Sequence, residues 1–313
     1  MIRPDFITAT DKGLFCRAGN FYIDPQQAVH LAVISHAHGD HACPENEQIF
    51  ATAETAAIMQ LRYKKRAGGK FNLFIYGESF EINGVKICFH SAGHILGSAQ
   101  ILMEYEGVKY LYTGDYKLQE DPTCEPITFI EADVLITEST FADPQVKHPD
   151  PVEEIKKLNA GPQNILLGTY SLGKAQRLIR MINDHCPQRK VLLHHQILPI
   201  TKLHEQFGVQ LGPYQPYDRK LMKNPDQNYV YMVPPLTFNS YFKAINVSRA
   251  FASGWKNLQT NNDLQLFISD HVDWDDIIKM IDRVKPTEIW TVHGNGLHLK
   301  NYFTNQIPIK ALN

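Results

Sequence analysis

Cysteine is scarce, odd in number and scattered: Cys16, Cys43, Cys88, Cys124 and Cys186 are the five in 313 residues, and no two form a C-x-x-C pair. That excludes a disulfide framework and a cysteine-built zinc site, and leaves the thiols as buried fillers. Long apolar runs are missing too. No stretch approaches the ~20 residues that a membrane-crossing helix needs, and the start Met1-Ile2-Arg3-Pro4-Asp5 lacks the apolar centre of a signal peptide. The expectation is a cytoplasmic protein with no membrane attachment. Nor is one sign of charge in excess: 31 basic and 33 acidic residues leave −2, so the overall balance does not announce a nucleic-acid binder.

What is present points elsewhere. With 43% hydrophobic and 20% charged residues, the chain has the make-up of a globular enzyme, long enough for one large domain or two modest ones. Histidine is plentiful, and its distribution is uneven. Ser35-His36-Ala37-His38-Gly39-Asp40-His41 packs three imidazoles and a carboxylate together, directly after the apolar run Leu31-Ala32-Val33-Ile34. That run reads as a buried strand, so the histidines leave its end on a loop where a rigid edge aims them at a common point. Neutral imidazoles each offer one lone pair, and Asp40 adds a negative charge, a set suited to zinc or a similar divalent metal. Cys43 stands close by, but Pro44 follows it and the cluster already has enough donors.

Further along, strands are expected at Phe21-Tyr22-Ile23, 48–52, 71–75, 85–90, 100–105 and 108–113, with a helix from Ala53 to Tyr63. The helix runs into Arg62-Tyr63-Lys64-Lys65-Arg66-Ala67-Gly68-Gly69-Lys70, which is either a solvated helix end closing on two glycines or a patch that tracks phosphates. His94 sits in a glycine-bounded turn after the strand ending at His90, and Asp115 in a Thr-Gly-Asp turn after the strand Tyr110-Leu111-Tyr112. Val134-Leu135-Ile136-Thr137-Glu138 is again a buried strand ending on a carboxylate. The prolines at Asp143-Pro144 and Pro149-Asp150-Pro151 mark a boundary. From about Val152 to Val247 strands and helices alternate anew, with proline and tyrosine dense between Leu211 and Pro235. The earlier style then returns, with Ser269-Asp270-His271 after one strand and His293-Gly294 after another. Short strands feeding polar loops, with helices between, fit an α/β architecture whose functional groups gather along strand ends.

With His36, His38, Asp40, His41, His94, Asp115 and His293 in place, the sequence resembles the metallo-β-lactamase superfamily. Glu138, His271 and His293 narrow the resemblance to the β-CASP-type nucleases, and the match is closer still to the bacterial DNA ligase-associated DNA exonuclease family. Phe21-Tyr22-Ile23-Asp24-Pro25, Gly93-His94-Ile95-Leu96-Gly97-Ser98-Ala99-Gln100, Thr113-Gly114-Asp115-Tyr116-Lys117, Leu172-Gly173-Lys174-Ala175-Gln176-Arg177, Phe251-Ala252-Ser253-Gly254-Trp255 and Ser269-Asp270-His271 carry it. It covers most of the chain except roughly His195 to Val247.

The resemblance implies a four-layer αβ/βα sandwich, formed by 1–150 and 248–313, with a smaller α/β β-CASP-like cap inserted at 151–247. It implies two divalent metals, zinc before manganese. His36, His38 and His94 would hold the first, Asp40, His41 and His293 the second, and Asp115 would bridge them. Asp24 would orient ligands from behind. Glu138 and His271, with Asp40, would complete the catalytic residues, His271 giving a proton to the leaving oxygen while Glu138 favours its protonated form. Asp273 reads instead as a helix cap.

Two metals suit a phosphodiester, because they activate water and oppose the growing negative charge. Ser171, Gly173 and Lys174 precede a helix and, with Ser253 and Gly254, are candidates for holding a substrate phosphate; a plain helix cap is the competing reading. The implied function is a DNA exonuclease in DNA repair, associated with a DNA ligase and a helicase. An RNA-processing β-CASP nuclease is the runner-up. A small-molecule metallo-hydrolase would need neither Glu138 nor His271, and a pseudo-enzyme that only binds nucleic acid would not need Asp115 and His293.

Overall fold

Side chains that alternate along each strand set the layers. The computed structural model describes residues 1–223, 227–241, 245–294 and 296–312. Its chain opens with β1 (Ile7–Thr10), β2 (Gly13–Cys16), β3 (Phe21–Ile23), β4 (Leu31–Val33), β5 (Gln48–Ala51), α1 (Ala53–Tyr63) and β6 (Lys70–Leu73), and continues with β7 (Ser79–Ile82), β8 (Val85–Ser91), β9 (Ala99–Tyr105), β10 (Val108–Tyr112) and β11 (Val134–Glu138). In α1 the Thr52 hydroxyl accepts from the Thr55 N–H, and Ala56, Ile58 and Met59 form its buried stripe.

A second run follows: α2 (Pro151–Lys156), β12 (Asn164–Gly168), α3 (Lys174–His185), β13 (Lys190–Leu193), α4 (Leu198–Gln206), β14 (Gln215–Pro216), α5 (Arg219–Met222), β15 (Tyr229–Val233), α6 (Pro235–Ser240), β16 (Val247–Ala252) and β17 (Leu264–Leu266). The chain ends with α7 (Trp274–Val284), β18 (Glu288–Val292), α8 (Leu297–Tyr302) and β19 (Ile309–Ala311).

Two compact units result. One holds Met1–Glu120, Cys124–Lys147 and His271–Asn313, the other Asp121–Thr123 and His148–Asp270. Among the described residues the first unit carries two sheets, ordered β1-β2-β3-β4-β5-β6 and β19-β18-β11-β10-β9-β8-β7. They face each other across one core, built from Ile7, Phe21, Ile23 and Val33 on one side and Phe89, Ile101, Tyr110, Tyr112, Ile136 and Trp290 on the other. Alternation then fills the outer layers. Leu135 points away from Val134 and Ile136 and packs with Leu111 and Ile289 against Ile277, Met280 and Ile281 of α7. On the other sheet α1 lies along β6. This is the αβ/βα sandwich of a metallo-β-lactamase-like fold.

β3 and β4 run parallel in the first sheet, and β10, β11 and β18 run parallel in the second. β8 is antiparallel to β9, which is antiparallel to β10, so β8 shares that direction too. Asp24, the histidine loop, His94, Asp115, Glu138 and His293 therefore each follow or close a strand at its C-terminal end.

In the second unit the sheet order is β14-β13-β15-β12-β16-β17 with every pairing parallel. Ile165 and Leu167 pack with Leu178, Ile179 and Ile182 of α3 on one face, and Leu166 packs with Tyr231, Phe238 and Phe251 on the other. The sequence reading is corrected here in one respect. The return to the first unit comes at His271 rather than 248, because β16 pairs with β12 and β17 with β16, which keeps both in the second sheet system. β15, inside the proline-rich stretch that carried no clear pattern, is an inner strand hydrogen-bonded to β13 and β12. Within that weakly read span, 224–226 and 242–244 lie outside the described residues. No helix of the described residues is long and apolar enough to cross a membrane.

Candidate metal centre

The histidine loop begins where β4 stops pairing. Ile34 still donates to the Phe50 carbonyl at 2.9 Å, and the Ser35 carbonyl accepts from the Ala99 N–H at 2.7 Å. The chain then turns sharply, with the Ala42 N–H on the His38 carbonyl at 2.9 Å. Behind the loop stands Asp24, buried and with φ of 45°, a left-handed conformation that is strained for any residue bearing a Cβ. Its carboxylate accepts from the Ser35 N–H at 2.7 Å, the Ser35 hydroxyl at 2.5 Å, the Tyr112 hydroxyl at 3.0 Å and His41 Nδ1 at 2.8 Å.

These bonds fix two tautomers. With Nδ1–H of His41 given to Asp24, the neutral ring carries its lone pair on Nε2. Because the Ser35 hydroxyl donates to Asp24, it accepts from His36 Nδ1 at 3.0 Å, which leaves the His36 lone pair on Nε2 as well. One buried carboxylate thus aims two imidazoles outward. Tyr112 in this arrangement had read only as a core residue of an apolar strand; nothing in its neighbourhood in sequence signals the role.

The aimed nitrogens converge. His38 Nδ1 lies 3.1 Å from both His36 Nε2 and His94 Nε2, and Asp115 Oδ2 lies 3.5 Å from His36 Nε2 and 3.8 Å from His94 Nε2. Ligands bound tetrahedrally at zinc distances are about 3.3–3.4 Å apart, so these four donors have the spacing of a shared cation. On the other side of Asp115, its Oδ2 is 3.3 Å from His41 Nε2, and His41, Asp115 and His293 form a second donor group. His293 has φ of 54°, a second strained position at the centre. Asp115 belongs to three of the four candidate donor groups among the described residues. It follows Gly114, where φ is 56° and an added Cβ would stand 3.0 Å from the Ser35 side chain. Asp40 lies apart from these groups: its carboxylate is 76% exposed and 4.0 Å from His41 Nε2.

Electrostatics follow from burial and crowding. Burial holds His36 well below its ordinary pKa, and His41 adds to this. Burial also pulls His41 down, but Asp115 and Asp24 outweigh it and raise it well above the usual range. For Asp115 burial raises the pKa, while His41, His271 and His36 overcome that and hold the carboxyl well below the carboxylate norm.

Beside the donors sits the pair singled out by the sequence. Glu138 is fully buried at the end of β11, accepts from the Tyr116 N–H at 3.1 Å, and meets His271 Nδ1 at 2.9 Å. His271 is 30% exposed, and its Nδ1 is the ring nitrogen that meets Glu138. Asp273 accepts from the Asp276 N–H at 3.1 Å and caps α7, as read from the sequence.

The candidate phosphate contacts of the second unit make hydrogen bonds and ion pairs with one another's neighbours. Gly173 donates its N–H to Gln176 Oε1 at 2.9 Å, and the Ser171 carbonyl accepts from Gln176 Nε2 at 3.2 Å. Lys174 is buried, donates to the Ile268 carbonyl at 2.5 Å and lies 3.2 Å from Asp270 Oδ2. The Ser253 hydroxyl accepts from the Trp255 N–H at 3.1 Å, and a Cβ on Gly254 would stand 2.9 Å from the Ser269 side chain.

The sandwich fold, the rim of strand ends and the convergent donors fit a metallo-β-lactamase-like protein with residues that could hold a metal ion. The chain belongs to the metallo-β-lactamase superfamily, in its β-CASP nuclease branch. No family model matches it. It is 30% identical over 299 residues to a protein of Opitutus terrae named "Probable DNA ligase", a match that takes in 90% of this chain and 28% of that protein. It is 31% identical over 193 residues to the RNase J-like protein of Methanocaldococcus jannaschii, covering 53% of this chain and 46% of that one. To cleavage and polyadenylation specificity factor subunit 3 of Dictyostelium discoideum it is 28% identical over 228 residues, covering 60% and 29%. The chain thus spans less than half the length of each of these relatives. A solved structure of a protein of unknown function from Enterococcus faecalis shares the fold at a TM-score of 0.59 and 16% identity, over 90% of this chain and 79% of that one.

Proposed function

We propose that the chain is a metal-dependent nuclease that shortens DNA from an end, with His36, His38 and His94 holding one divalent ion, Asp40, His41 and His293 the second, and Asp115 shared between them. The observation that carries this reading is the spacing of donors around Asp115 together with the adjacent Glu138–His271 pair. Bound ions would supply an activated water and counter-charge for a phosphoryl group. The protein's own residues do the rest. Asp24 and Ser35 hold His36 and His41 in one tautomer, so that their lone pairs do not compete with ring protons. Glu138 accepts the Nδ1–H of His271 and favours the protonated ring, the form that can give a proton to the departing oxygen. A lactam or thioester needs no such donor on a second face, which favours a phosphodiester.

DNA is preferred to RNA because the similarity to a protein named as a DNA ligase runs through 90% of this chain. Zinc comes first on the His-rich donor set and manganese second. Action in DNA repair beside a ligase and a helicase is part of the same proposal. The relatives named as RNase J-like and as a cleavage and polyadenylation factor favour the RNA-processing alternative.

The deciding experiment incubates the protein with end-labelled single-stranded DNA, duplex DNA and RNA, with Zn²⁺ or Mn²⁺. Stepwise shortening of DNA, lost on His36→Ala and reduced by about 10²–10⁴-fold on His271→Ala, is the expected result. Cleavage of RNA with DNA left intact transfers the reading to RNA processing. Full activity in His36→Ala would sink the two-metal site.

A further inference from the structure

The basic stretch at the end of α1 takes no part in the centre described above, and one of its cations is held differently from its neighbour. Arg66 pairs with Glu45 at 2.8 Å, an exposed ion pair of ordinary kind. Arg62 donates from Nη1 to the carbonyl oxygen of Ala37, the residue between His36 and His38. Its guanidinium carbon is 5.2 Å from the centre of the Tyr63 ring. An aromatic face restrains a cation without neutralising it. Among the described residues no carboxylate pairs with Arg62.

Gly39 makes room for this arrangement. It is not among the glycines with positive φ, so its backbone does not require glycine. What it lacks is a side chain: a Cβ there would stand 3.2 Å from Arg62 Nη2. The guanidinium therefore lies against the outer side of the loop that carries the metal donors. Only one of its five N–H groups is used by Ala37, and the residue is exposed. A planar fork with its charge intact, fixed beside a site that binds a phosphodiester, matches a phosphate bidentately. Exposed Lys64 and Lys65 follow directly in the chain and extend the positive surface.

We propose that Arg62 contacts a phosphate of the substrate strand next to the metal-ligand loop, with the Ala37 carbonyl setting its position and Gly39 giving it space. This rests on the nuclease reading. On this reading the basic stretch tracks phosphate at Arg62.

The test uses the metal-loaded protein and a fluorescein-labelled single-stranded 20-nucleotide phosphorothioate DNA, with anisotropy read between 50 and 300 mM KCl and bound metal measured by mass spectrometry. Arg62→Met is expected to weaken binding about tenfold and to lower the slope of log affinity against log salt by about 0.7, the loss of one single-strand phosphate contact, with metal content retained. Arg62→Lys keeps the slope and loses about threefold in affinity, because the charge stays and the fork goes. Gly39→Ala weakens binding by a similar small factor by displacing the guanidinium. An unchanged slope and affinity in Arg62→Met overturns the proposal. So does a loss of affinity that follows a loss of bound metal, since Arg62 would then only support the loop, and so does a wild-type protein that does not bind the strand. The nuclease reading is judged separately, by whether wild type shortens an unmodified strand.

Discussion

Two clusters of buried ionisable groups, one in each unit, resemble each other in content and differ in logic. In the first unit His36, His41, His94 and Asp115 turn donor atoms toward common points, and hydrogen bonds from behind enforce that orientation for His36 and His41. In the second unit Lys174 and Arg177 are as deeply buried, yet every charge has its opposite inside the cluster. Arg177 lies 3.1 Å from Asp270 Oδ1 and 3.7 Å from Asp121 Oδ2 and donates to the Ser269 carbonyl at 2.7 Å, while Lys174 reaches Asp270 and the Ile268 carbonyl. A cluster that neutralises itself is architecture. One that gathers donors of the same kind around a point fits a cation, because lone pairs held at contact distance repel unless something positive sits among them.

Breaking the shared carboxylate of the first cluster should have the largest effect. Asp115→Asn keeps the shape but removes the one charge common to both donor groups. Turnover of a labelled oligonucleotide should fall about 10³-fold, with metal content falling alongside, while the melting temperature holds or rises. The reverse pattern, intact turnover with a lower melting temperature, would place Asp115 in the structural class instead. Arg177→Met probes the other side. Taking one partner from a buried ion cluster leaves Asp270 and Asp121 short of compensation, and the cost is about 3 kcal/mol in urea unfolding. Metal content per folded molecule should not change. A stability unaltered by Arg177→Met would show that the second cluster is not self-compensating and would remove the contrast.

The difference between the clusters also explains what could be read from the sequence. The donors of the first are dense along the chain, and those that are distant each follow or close a recognisable strand, so β4, β10, β11 and β18 pointed to His36, Asp115, Glu138 and His293 in turn. The partners of the second are far apart: Arg177 and Asp270 are separated by 93 positions, and nothing local at Lys174 distinguishes a buried ion pair from a cation at a helix start. That is why the ion pair of Lys174 with Asp270 was not legible in the sequence. Asp40 was read as a donor by its place in the loop, but the exposure of its carboxylate was not legible, since it depends on neighbours in space. The boundary at 248 failed for a related reason. β16 has the same strand signature whichever sheet it joins, and only its pairing with β12 assigns it.

A third arrangement sharpens the comparison with the smallest effect. Asp276, half-buried in the first turn of α7, has neither a cluster of donors nor a matching cation strong enough to settle it. Burial first, and then the carboxylates of Asp273 and Asp275, raise it from the ordinary 3.8 to about 6, while Lys279 opposes this. The folded state therefore holds its proton more tightly than the unfolded chain. That preference adds stability fully below pH 3.8, and it is lost as pH rises through about 6, above which the folded state carries a crowded charge that the unfolded chain carries freely. Asp276→Asn removes the titration. At pH 4 variant and wild type should melt together, and by pH 7.5 the variant should melt higher by about 2 °C or less, the small size reflecting solvent access and the favourable pull of the helix N-terminus on a carboxylate. A difference that is the same at both pH values would mean that hydrogen bonding to the amide, rather than relief of charge, is responsible, and Asp276 would then belong with the satisfied groups of the second cluster.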